Sequence, residues 1–176
     1  MTSRRMRYLG CSVNLAWSRA TEFKKWMLEN NWNESLRLDK DILFPGNKEY
    51  GPDTCALVPH YVNASIVLPD SSDSFLPYGV TYQSVYKDDP RPAIKRYQVR
   101  CCTGGPDSFR RHLGSFSCSM EAHKVWQLAK IESLDNTLSH YSKESCYRKD
   151  VVDAIEFRIA MILSDLNLGI ETKSFK

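Results

Sequence analysis

Leu38-Asp39-Lys40-Asp41-Ile42-Leu43, then Gly46-Asn47, then Tyr50-Gly51-Pro52-Asp53-Thr54-Cys55-Ala56-Leu57-Val58-Pro59, then Asn63 is the stretch whose reading decides the fold. Residues 36–43 alternate well enough for a strand, and Phe44-Pro45-Gly46-Asn47 turns the chain. Cys55 to Val58 reads as a second short strand, followed by a short helix from about Tyr61 to Val67. A carboxylate on one strand and an amide on the following helix can converge on one hard cation. Mg²⁺ takes few protein oxygens and leaves its other positions to water and phosphate. Asp39 and Asn63 are the candidate pair, and Asp41 joins them because a period of two sets it on the strand face of Asp39. His60 stands three residues before Asn63, as a candidate base or as a plain helix-start histidine.

Before this stretch, Phe23, Trp26 and Met27 recur at helical spacing, so residues 21–32 form a packing helix with Thr21 as N-cap and Asn30-Asn31 at its end. After it, Leu68 to Ser74 is polar, proline-containing and aperiodic, as a linker is. Three strand-like runs follow at 78–82, 94–102 and 109–113. An amphipathic helix over 117–132 then offers Ala122, Val125, Trp126 and Ala129 to the sheet. In the run 96–101, Arg96, Gln98 and Arg100 alternate outward, while Tyr97, Val99 and Cys101 face the helix. Tyr78, Leu113, Phe116 and Trp126 belong to the core. The tail carries a longer helix over about 150–167, with Asp150 capping its start and Gly169 ending it. Its apolar stripe, from Val151 through Ile155 and Ile162 to Leu166, docks on its own chain or on a partner.

The 176 residues carry 24 Lys plus Arg against 21 Asp plus Glu, a formal charge of +3. That small total conceals an asymmetry. Residues 1–75 sum to zero, 76–130 to +5 and 131–176 to −2. A basic middle segment is the electrostatic footprint of a phosphate partner. No apolar run approaches the roughly 20 residues of a membrane-spanning helix, so no membrane role is expected. Six sparse cysteines, with Cys101 and Cys102 adjacent, suit reduced thiols better than a disulfide framework or a zinc knuckle. The expected setting is cytoplasmic, and no zinc is expected.

The motif residues resemble the HNH endonuclease motif of phage-borne homing endonucleases, in the subgroup reading roughly L-D-[KR]-D-I-L, G-N, Y-x-P-E-T-C, V-P and N. The residues Cys11-Ser12-Val13-Asn14-Leu15-Ala16-Trp17 and Phe23-Lys24-Lys25-Trp26 resemble the segment just upstream in that subgroup. The resemblance implies a ββα-metal-like module in which Asp39 and Asn63 hold one Mg²⁺ or Mn²⁺. Lys40 stands where better-known members have their general-base histidine. A lysine ordinarily titrates near 10.4, and a base at neutral pH needs roughly 7–8. Lys40 therefore either has a strongly depressed pKa or serves as a cation on phosphate, and His60 is the substitute base.

Tyr78-Gly79-Val80, Tyr97-Gln98-Val99-Arg100, Arg111-His112-Leu113-Gly114-Ser115-Phe116 and Glu121-Ala122 with Trp126 resemble the plant Apetala or ethylene-response-factor type of DNA-binding domain. That domain lays a three-stranded sheet in the major groove. The resemblance implies duplex-DNA contacts from Arg96, Arg100, Arg110 and Arg111, supported by Lys87, Arg91, Lys95 and His112.

The expected architecture is α+β. A nuclease-like module (1–68), a linker (69–76), a three-stranded antiparallel sheet on one helix (77–133) and a C-terminal helical extension (134–176) follow in order. Two functions stay open. One is a metal-dependent DNA endonuclease of a bacteriophage, working in the host cytoplasm. The other is a catalytically inactive derivative that regulates by binding DNA, or inhibits a host or phage component through the tail helix, which also offers a route to self-association.

Overall fold

A computed structural model describes residues 9–67, 75–83, 90 and 94–174. Its described strands and α-helices are β1 (Ser12–Val13), α1 (Ala20–Glu29), β2 (Leu36–Asp39), β3 (Glu49–Tyr50), β4 (Ala56–Pro59), α2 (His60–Ile66), β5 (Val80–Tyr82), β6 (Tyr97–Cys102), β7 (Arg110–Phe116), α3 (Ser119–Tyr141) and α4 (Lys149–Leu168). The protein is mixed α and β, with four α-helices among the described residues and small separate sheets: β1 beside β3, β2 beside β4, and the antiparallel β5-β6-β7. The last is the three-stranded sheet expected from the sequence. No described helix is long and apolar enough to cross a membrane.

Trp17 organises the N-terminal part. Its ring meets Phe23 at 4.9 Å and Trp26 at 4.8 Å, both edge to face, which fixes α1 by its aromatic face. Helix α1 starts at Ala20 behind Arg19, whose side chain makes no capping bond, so Thr21 lies in the first turn and not at the cap. Asn30 and Asn31 do end it: Asn31 takes the left-handed conformation, and Asn30 Nδ2 donates back to Trp26 O at 2.8 Å.

The strand expected over 36–43 is shorter. β2 stops at Asp39 because that side chain captures the chain after it: Oδ1 accepts the N–H groups of Asp41 at 2.7 Å and of Ile42 at 2.6 Å. Asp and Asn favour such turns because the short side chain imitates a backbone acceptor. Asp41 thus lies in a turn and not on the strand face of Asp39. β2 pairs antiparallel with β4, Leu36 opposite Pro59 and Asp39 opposite Ala56, and α2 follows β4 directly.

Two apolar cores lie along one helix. Val80, Val99, Cys101, Ala122, Trp126 and Ala129 form the core between the sheet and the first half of α3, with Tyr78, Leu113 and Phe116 packed against it. Leu134 and Tyr141, on the second half of α3, belong to the other core with Leu36, Ile42, Val58, Val62, Val151, Ile155 and Ile162. The sequence pattern places the end of α3 at Glu132, where the first stripe ends. The helix continues to Tyr141 because no Gly or Pro interrupts it, and Leu134, Leu138 and Tyr141 renew the helical spacing on a different side. Helix α4 lies close to its expected bounds, and Gly169 ends it in the left-handed conformation at φ 70°. Its stripe docks within its own chain through Val151, Ile155 and Ile162.

Candidate nucleic-acid interface and the acidic turn

In β6, Val99 and Cys101 are buried and Arg100 is exposed, so the alternation read from the sequence holds along this strand. β7 is less regular. Val99 pairs with Gly114, but Arg100 pairs with His112, so Leu113 is an extra residue at a β-bulge. Side chains of directly opposed residues share a face. Arg100 and His112 therefore lie on the outer face, as do Cys102 and its partner Arg110. Arg111, opposite Cys101, lies on the helix side, where Nη2 donates to Glu132 Oε2 of α3 at 3.1 Å. Without the bulge, Arg111 would face outward and Arg110 and His112 inward.

Of the expected DNA contacts, Arg100, Arg110 and His112 thus come together on one face. Lys95 is exposed and Arg96 half-buried, just before β6. Arg111 is directed elsewhere. Lys87 and Arg91 lie outside the described residues. Gln83 Nε2 donates to Ser115 Oγ at 2.6 Å, tying β5 to β7 across the outer side of β6. No acidic residue occurs in β5, β6 or β7, so the outer face presents cations with no carboxylate of its own strands beside them.

The acidic turn is differently arranged. Lys40 is only 7% exposed, and its Nζ donates to Asp41 Oδ2 at 2.6 Å and to Asn47 O at 2.8 Å. Asn47 returns the contact, donating from Nδ2 to Lys40 O at 3.0 Å and to Glu49 O at 2.6 Å, so it is the residue that shapes this loop. Burial, the largest influence, raises the Asp39 carboxyl above its ordinary range, against the lowering effect of the two amides it accepts. Arg158 of α4 closes the turn from the far side. Its guanidinium donates to Ile42 O at 2.8 Å, to Asp41 O at 2.9 Å and to Ala154 O at 2.7 Å. Burial lowers the Arg158 pKa, and the charges of Asp39 and Asp41 act in the opposite sense.

Asp39, Asp41 and Arg158 line one open cleft of about 440 Å³ together with Tyr78 and Lys173. Among its described lining residues, Asn63, Lys40 and His60 do not appear. Asn63 is half-buried on α2, and His60 is exposed at the helix start, lining a separate cleft against the sheet. Sequence reasoning brought Asp39, Asp41, Asn63 and His60 to one site. The structure groups the first two and places His60 on another cleft. It adds Arg158, which sequence reading missed; its only signal was a charged residue in the apolar stripe of the tail helix.

This donor set fits a resident divalent ion poorly. Asp41 is already countered by the buried Lys40, Asp39 spends one oxygen on the turn, and Arg158 brings a fixed positive charge close to both. The described cysteines are all free thiols, three of them buried. Comparison with protein-family models, with curated proteins and with solved structures finds no match to this chain.

Proposed function

We propose that this protein binds duplex nucleic acid through the outer face of the β5-β6-β7 sheet, as a binding protein and not as a nuclease. The observation that carries this reading is the bulge at Leu113, which sets Arg110 and His112 beside Arg100 on a face whose strands contain no carboxylate. Arginine presents a planar fork of donors suited to phosphate and to guanine edges, and a β-sheet fits the major groove. The +5 charge of residues 76–130 adds a long-range attraction to phosphate.

The antiparallel β2–β4 pair followed by α2 has the element order that the HNH resemblance implies, which supports descent from such a nuclease. The residues that would do chemistry are engaged in holding the turn. Lys40 is ion-paired and buried, so it supplies neither a ready base nor a ready phosphate clamp. Loss of cleavage with retention of binding is the state this arrangement favours.

Binding is tested by fluorescence anisotropy on a labelled duplex across a salt series. For a phosphate-dominated complex, log K falls linearly with log salt at about −0.9 per phosphate neutralised. Replacing Arg100 and Arg110 together by Gln flattens the slope by about 2, while Arg111→Gln leaves it in place. A slope that responds to Arg111 and ignores the other two refutes the face assignment. The companion assay is nicking of supercoiled DNA with Mg²⁺ or Mn²⁺. Nicking by the wild type that is abolished in Asp39→Ala overturns the binding-only reading.

A further inference from the structure

Lys130 is a buried amine that the sheet reading leaves without a role, and burial, the largest influence, lowers its pKa. It lies in the middle of α3, only 6% exposed, and its Nζ donates to Ser65 O of α2. An ammonium group has three donors, and burial without a counter-charge is costly. Cys101 is one of its nearest titratable neighbours, and burial pushes that thiol up, so it stays neutral at pH 7 and offers no negative charge. Lys130 also lines a cleft of about 440 Å³ between α2 and β6, alongside His60, Ser65, Arg100, Arg110 and Trp126. Among the described residues β5 pairs only with Tyr97 to Val99 and no strand pairs with the remaining half of β6 on that side, the part of β6 that lines the cleft. No described residue lining the cleft is acidic.

We infer that this cleft binds a small organic phosphate ester whose phosphoryl oxygens supply the counter-charge of Lys130, with Arg100 and Arg110 at its rim. The apolar lining, which includes Val67, Pro106 and Trp126, takes the uncharged body of the ligand. The volume suits a ligand of nucleotide size and not a helical duplex. Arg100 and Arg110 serve both the outer sheet face and the rim of the cleft, whereas Lys130 belongs to the cleft alone, so a protein that fails to bind duplex still has it.

The test uses the full chain and isothermal titration calorimetry at pH 7 with adenosine 5′-monophosphate, inorganic phosphate and adenosine. Adenosine 5′-monophosphate binds, inorganic phosphate binds more weakly, and adenosine binds at least roughly tenfold more weakly than its monophosphate, since a charge-assisted contact is lost. Lys130→Met keeps the length of the side chain without the charge, so the variant folds and its affinity for the monophosphate falls by roughly tenfold or more. If circular dichroism shows Lys130→Met unfolded, Arg110→Gln is read instead, with a several-fold loss expected. Adenosine 5′-monophosphate binding unchanged in the folded variant overturns the inference, as does the absence of any phosphate binding at millimolar concentration. A Lys130→Met protein that loses the monophosphate and keeps its duplex affinity supports a soluble ester as the occupant. Loss of duplex affinity by the same factor overturns it, by making the phosphate that of a nucleic-acid strand.

Discussion

Arg158 joins the tail helix to the acidic turn, and its removal should be felt at both. The buried guanidinium, 2% exposed, is a partner of the carbonyls of Asp41 and Ile42, residues more than a hundred positions away in sequence. Arg158→Met retains the apolar length of the side chain and withdraws both donors. Each orphaned carbonyl costs about 1–3 kcal/mol, and relief from burying a charge returns part of the sum. The expected net loss is about 2–4 kcal/mol, or roughly 5–15 °C in Tm for a chain of this size. Arg158→Lys recovers little, because a single ammonium does not reproduce the planar fork that serves two neighbouring carbonyls. Urea denaturation followed by tryptophan fluorescence measures the difference, and amide exchange at Asp41 and Ile42 reports whether the turn loosens first. An Arg158→Met protein within about 0.5 kcal/mol of wild type, with unchanged exchange in the turn, refutes the argument that α4 holds this turn closed.

Gly79 adopts φ +77°, and a Cβ there would stand 1.9 Å from Trp126 Cδ1, so Gly79→Ala should cost about 2–5 kcal/mol from backbone strain and overpacking combined. Thermal denaturation read through Trp126, buried in the sheet core, is the assay; a loss under about 1 kcal/mol would show that the core yields easily. His123 offers a pH test. Its Nδ1 lies 2.9 Å from Tyr78 O and its Nε2 accepts the N–H of Thr172 at 3.0 Å, an arrangement that requires the neutral ring with its proton on Nδ1. Burial, the largest influence, lowers its pKa from the ordinary 6.5, while the carbonyl of Tyr78 and the charges of Glu171 and Asp165 act the other way. The unfolded chain therefore binds the extra proton first. The stability this group contributes is complete above about 6.5 and is lost as pH falls from there through the folded value. His123→Leu removes that pH dependence, and stability that stays flat between pH 7 and pH 5 in the wild type would contradict it.

Some of this was legible residue by residue. The alternation of Tyr97 to Cys102 gives the inward face of β6, because a period of two is a property of the strand itself. Gly169 marks the end of α4, because a left-handed residue there needs no side chain. The expected strand 36–43 failed at Asp39. Alternation persists in the letters, whereas the side chain of Asp39 folds back on the next two amides and ends pairing. The second half of α3 failed for a related reason: its apolar positions serve a second core, so no single stripe runs the length of the helix.

The sequence by itself determined that the chain is mixed α and β, that its positive charge is concentrated between residues 76 and 130, and that an amphipathic helix lies over about 150–167. These follow from composition and local period. Only the tertiary structure decided which arginines face outward. A one-residue bulge turns Arg110 and His112 out and Arg111 in, and alternation alone cannot locate a bulge, since it arises where two strands meet. Only the tertiary structure set Arg158 against the turn of Asp39 and Asp41, and left Lys130 buried at a cleft with no carboxylate among its described lining residues. Those arrangements depend on contacts between distant segments, and in them the charged residues acquire the partners that determine what they can do.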